Sequence, residues 1–72
     1  MEYRVVMGFY PSYNTAKKML DKAKSFCKQA KIIKEQDCFV VVLKETDDYE
    51  EADMFFSQCM KRKIYCGVQK TK

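Results

Sequence analysis

Shifted by 36 positions, this chain of 72 residues aligns its first half with its second. Tyr3 falls on Phe39, Val5 on Val41, Val6 on Val42 and Met7 on Leu43; further along, Tyr13 meets Tyr49, Ala16 meets Ala52, Met19 meets Phe55, Leu20 meets Phe56 and Ala23 meets Cys59. A chain of this length holds one small domain, so the two copies share one core. The domain comprises residues 1–72, built from half-repeats at about 3–36 and 38–69. Few folds satisfy both conditions.

Each half reads as strand, helix, strand. Tyr3 to Phe9 is rich in β-formers, and Pro11-Ser12 breaks it. Ser12 suits an N-cap, and Ala16, Met19, Leu20, Ala23, Phe26, Cys27 and Ala30 follow at helical spacing, which predicts an amphipathic helix from about Tyr13 to Gln29. Lys31 to Lys34 forms a short strand, Glu35-Gln36-Asp37 a turn, and Cys38 to Lys44 the next strand. Asp48 with Glu51 forms a capping-box-like helix start, and Ala52, Phe55, Phe56 and Cys59 supply the apolar stripe of a helix ending near Lys61-Arg62-Lys63. Ile64 to Val68 completes a βαββαβ order. Its right-handed crossovers give an α+β, ferredoxin-like arrangement, a four-stranded antiparallel sheet with both helices on one face.

Alternation along the strands then divides the sheet. Tyr3, Val5, Met7, Phe39, Val41 and Leu43 are the heavier set and meet the helices. The open face receives Arg4, Val6, Ile33, Val40, Val42, Lys44 and Tyr65, an apolar patch with a basic rim. Apolar patches on a solvated face mark binding surfaces, so these seven are the candidate ligand- or partner-binding residues.

Catalysis and metal binding find little support. There is no histidine, the commonest general base and metal ligand, and Cys27, Cys38, Cys59 and Cys66 contain no C-x-x-C pair. The cysteines sit in apolar stretches and read as free thiols of a reducing compartment, with disulfides as the alternative. No cofactor, metal or enzymatic activity is expected. Residues 1–36 carry a charge of +5 and residues 37–72 a charge of −1, so the net +4 comes from a lysine-rich first helix whose face reads as solvated. The start Met1-Glu2-Tyr3-Arg4 runs into an apolar stretch too short for a signal-peptide core or a membrane span. As it stands the chain is expected in the cytoplasm without membrane insertion; a domain excised from an exported protein would belong to the cell envelope.

The layout Tyr3-Arg4-Val5-Val6-Met7-Gly8-Phe9-Tyr10, followed by Ser12 and Ala16, resembles the SPOR domains, peptidoglycan-binding modules of bacterial cell-division and sporulation proteins. The resemblance covers almost the whole chain, half-repeats included. It implies a non-catalytic module that holds glycan strands on the open face of its sheet. Three positions depart from the family pattern: Val6 replaces a polar residue, Lys44-Glu45-Thr46 replaces a glycine-proline-phenylalanine turn, and no export signal accompanies the four cysteines. The alternative is a small intracellular protein, of the kind phages encode, that binds and modulates a partner protein through the same face; a homodimer covering that face is its simplest form. Nucleic acid is disfavoured, because RRM domains on this topology display aromatics in a Gly-aromatic motif, whereas Cys38 to Leu43 has only the inward Phe39 and no glycine.

Overall fold

The computed structural model describes residues 2–71; Met1, on which the expectation about the chain's start rests, and Lys72 lie outside the described residues. The elements are β1 (Tyr3–Tyr10), α1 (Tyr13–Lys24), β2 (Lys31–Lys34), β3 (Phe39–Thr46), α2 (Tyr49–Lys61) and β4 (Gly67–Lys70). They form a four-stranded sheet in the order β2-β3-β1-β4, antiparallel throughout, which is the ferredoxin-like α+β arrangement. Each element of the first half begins 36 residues before its counterpart: 3 and 39, 13 and 49, 31 and 67.

The same 36-residue spacing relates the irregularities of the sheet. Val6 pairs with Val42, but on one side of this pair β3 carries an extra residue, Leu43, and on the other β1 carries an extra residue, Met7. Met7 and Leu43 are themselves 36 apart, so a local two-fold relation passes between Val6 and Val42. Bulges of this kind reverse the alternation beyond them. One expectation is corrected as a result. Lys44 leaves the open face and turns to the helix layer, where its Nζ lies 3.2 Å from Glu51 Oε1 and 5.7 Å from the centre of the Phe55 ring. Phe9, assigned to neither face from the sequence, pairs with Val40 and joins the helix-free face, half exposed.

The main core lies between sheet and helices, with Val5, Val41 and Leu43 facing Ala16, Leu20, Ala23, Ala52 and Cys59. Tyr3, Met7 and Phe39 close around it, as their strand positions predicted. Helix α1 ends at Lys24, well before Gln29, because the chain turns there: the Ser25 hydroxyl donates to the Lys22 carbonyl at 2.8 Å, and the Cys27 amide donates to Ala23 at 2.8 Å. Phe26 and Cys27 still pack inward, so their apolar signal belongs to the turn rather than to a longer helix.

The two helix starts differ. Asp48 accepts a hydrogen bond from the Glu50 amide at 3.0 Å, whereas Ser12 occupies the N-cap position without a side-chain bond. The expected capping box does not close either. Glu51 is drawn to Lys44, and the Asp48 amide donates instead to Thr46 Oγ1 at 3.1 Å.

A candidate binding groove where the repeat breaks

Val6, Ile33, Val40 and Val42 do share the helix-free face, where they cluster with Cys38. They do not form the expected exposed patch. Val40 is 0% exposed, Val42 1% and Val6 7%. Part of the cover comes from Arg4, whose Nε donates to Gln69 Oε1 on β4 at 2.6 Å while Nη2 reaches Glu35 Oε1 beyond β2 at 3.0 Å. Since β3 lies between β1 and β2, that guanidinium must cross the helix-free face of β3. A second bridge, Lys31 Nζ to Glu45 Oε1 at 2.6 Å, spans β2 and β3. The valines are therefore a second small core, capped by charged side chains whose stems shield apolar surface. What remains accessible on this face is Phe9, with partly exposed Ile33 and Cys38 beside it.

Tyr65, the remaining candidate, is elsewhere. The last strand begins at Gly67, not Ile64, because Lys63 adopts a left-handed backbone (φ 61°) and the Ile64 amide is held by the Cys59 carbonyl at 2.9 Å. Ile64 to Cys66 thus follows the end of α2 instead of pairing with β1. Tyr65 is left 71% exposed at the rim of a groove of about 480 Å³. Met7, Tyr10, Met19 and Ile64 supply its apolar lining, and Lys22, Arg62 and Lys63 its charge. Among the described residues no carboxylate lines it.

The groove exists because the second half departs from the first. Thirty-six residues before Arg62 and Lys63 stand Phe26 and Cys27. Phe26 stacks on Phe55 with ring centres 6.4 Å apart, and the Cys27 thiol donates to the Leu43 carbonyl at 3.1 Å, so the equivalent site in the first half is filled by its own turn. In the second half Arg62 instead lies over the Phe26 ring at 5.2 Å, and nothing enters the space beside Met7. Gly8 helps to shape the lining: a Cβ there would sit 2.7 Å from Tyr10 Oη, so glycine lets the Tyr10 ring fold back along β1. Burial pushes the Tyr10 phenol above its ordinary value.

Sequence reasoning did not single out this groove. The signal was present in the 36-residue alignment, as the replacement of Phe26-Cys27 by Arg62-Lys63, an apolar pair by a basic one. Burial raises the Cys59 thiol, and raises Cys66 to about 12, with each of the two also responding to the other. Thiols held so firmly in the protonated form make poor nucleophiles. Among the described residues no three His, Cys, Asp or Glu side chains form a metal-binding group, and no helix is long and apolar enough to cross a membrane. No family model, curated protein or solved structure matches this chain.

Proposed function

We propose that this chain is a non-catalytic binding module that holds a partner protein at the groove between β1, α1 and the end of α2. One observation carries the proposal: an exposed tyrosine and an apolar lining adjoin three cations with no acid among them. Exposed aromatic and basic side chains around an apolar centre suit protein recognition, in which large rings supply area and charges set orientation. The helix-free face contributes Phe9 at the margin of the same strand, while its valines stay covered. Photocrosslinking tests this. A benzophenone amino acid at Tyr65 should yield a discrete protein adduct in the cells that make the chain, and the same probe at exposed Lys18 should not. Equal labelling from both positions, or none from either, refutes the groove.

A second reading follows the SPOR resemblance, with a glycan strand as the ligand. The observation in its favour is the exposed Tyr65 ring beside Lys22, Ser25 and Arg62, since sugars stack on aromatic faces and hydrogen-bond to surrounding donors. Co-sedimentation with cell-wall sacculi stripped of stem peptides, lost on Tyr65→Ala, would select it over the first.

A further inference from the structure

Strand β1 is covered on one side by β3 along its length, but β4 pairs only with Tyr3 to Val6. Among the described residues no strand neighbours the other side of β1 from Met7 to Tyr10. By the two-fold relation, β3 has an equivalent stretch from Leu43 to Thr46, beyond the end of β2. That stretch is closed by its own side chains: Cys27 takes the Leu43 carbonyl, and Lys44 and Glu45 are engaged in ion pairs. Among the described residues no side chain takes the Met7 carbonyl. An uncovered strand edge is a template for pairing, and natural proteins guard such edges with charge, lysine above all. Here β2 carries Lys31 and Lys34, β4 carries Lys70 and the stretch of β3 carries Lys44. The Met7-Gly8-Phe9-Tyr10 stretch carries no charged residue.

Resting on the partner-protein reading above, we infer that the partner enters as an extended, acidic segment that adds a strand to β1 along Met7–Tyr10, continuing the line of β4. Four residues of edge give about 13 Å of pairing. Main-chain bonds to the edge supply affinity, and alternate side chains supply selectivity. One set enters the groove against Met7 and Ile64; the other lies over the helix-free face beside Phe9. Lys22, Arg62 and Lys63 beside the groove favour carboxylates on the incoming strand. The same cations disfavour a second copy of this chain, because pairing β1 to β1 would bring two basic clusters together.

Selection from an unrestricted ten-residue peptide library tests the inference. Enriched peptides should alternate apolar residues and carry Asp or Glu. Hydrogen exchange on the whole chain should slow among the amides of Met7 to Tyr10 when such a peptide binds. N-methylation of alternate peptide amides should abolish binding, and Lys22→Glu with Lys63→Glu should weaken it about tenfold or more. Peptides that bind at Tyr65 but leave the β1 amides unchanged, or that tolerate N-methylation, overturn strand addition while leaving the groove reading intact. Selected peptides that are basic overturn the charge assignment. Failure to enrich any peptide, or binding that Tyr65→Ala leaves unchanged, overturns both. Protection of the β1 amides by raised protein concentration alone would identify the occupant as a second copy and overturn the inference.

Discussion

The Arg4 guanidinium meets the Glu35 carboxylate 3.0 Å away across the helix-free side of the sheet, so β1 is tied to the turn beyond β2 over a floor of buried valines. The pair is partly open to water, and its charge–charge contribution is small, about 1 kcal/mol or less. Cover is the larger effect. Arg4→Ala should therefore destabilise the domain more than Glu35→Gln, a difference that urea unfolding of the two variants measures directly. Equal losses would mean that the charge, rather than the stem, is what matters.

Val42 is the more severe position. Glutamate at this site would be tolerated if the residue belonged to an exposed binding patch. Because Val42 is 1% exposed and the facing Lys31 is already paired with Glu45, Val42→Glu forces a carboxylate into a dry, packed site and should cost about 3 kcal/mol or more, a large share of what a domain of this size possesses. Circular dichroism should show a largely unfolded variant at room temperature. A folded Val42→Glu protein would disprove the closed face.

Both helix starts carry a residue suited to capping, yet only one is used. Asp48→Ala removes an acceptor from the Glu50 amide and should cost about 1 kcal/mol. Ser12→Ala removes no such bond and should change stability by a few tenths of that amount. Paired thermal melts decide the matter, with similar losses for both counting against the difference between the two starts.

Gly8 separates folding from groove shape. The nearest atoms an alanine Cβ would meet belong to the Tyr10 ring and hydroxyl rather than to backbone, so Gly8→Ala should leave the fold intact and displace the ring from the lining. Tyr10 fluorescence quenching by a soluble quencher, with the other four tyrosines replaced by phenylalanine, should rise in the variant. Unchanged quenching would show that the ring does not depend on the glycine.

Cys66 makes stability depend on alkaline pH. Its ordinary value is 9.0 and its folded value about 12, so the folded chain holds this proton more tightly than the unfolded one. The resulting contribution is complete below about pH 9 and is lost progressively as pH rises toward 12. Cys59 acts in the same direction. Melting temperature should fall less steeply between about pH 8.5 and 10.5 for Cys66→Ala than for the parent chain. Parallel profiles would remove the thiol from the account.

Much of the architecture was legible because it rests on periodicity. The alternation Tyr3, Val5, Met7 and the spacing Ala16, Leu20, Ala23 place strand, helix and core correctly. The bulges were not legible, since one extra residue changes a strand's facing without altering its composition; Lys44 was misassigned for that reason. Burial of Val40 and Val42 was missed because it depends in part on contacts between distant residues, Arg4 with Glu35 and Lys31 with Glu45. Ile64 and Tyr65 have the composition of a strand, but the Lys63 backbone and the Cys59 carbonyl hold them to the helix end.

The two-fold relation through Val6 and Val42 bears on what covalent linkage of the halves makes possible. Two identical, separately encoded halves related by such an axis would be bound to treat both β-edges alike, giving two filled sites or two open ones. Carried on one polypeptide, each copy is free to diverge. The first half carries Phe26 and Cys27 and seals its edge, while the second carries Arg62 and Lys63 and leaves its edge open. One polypeptide can thus hold a pseudo-symmetric sheet with one closed edge and one open edge.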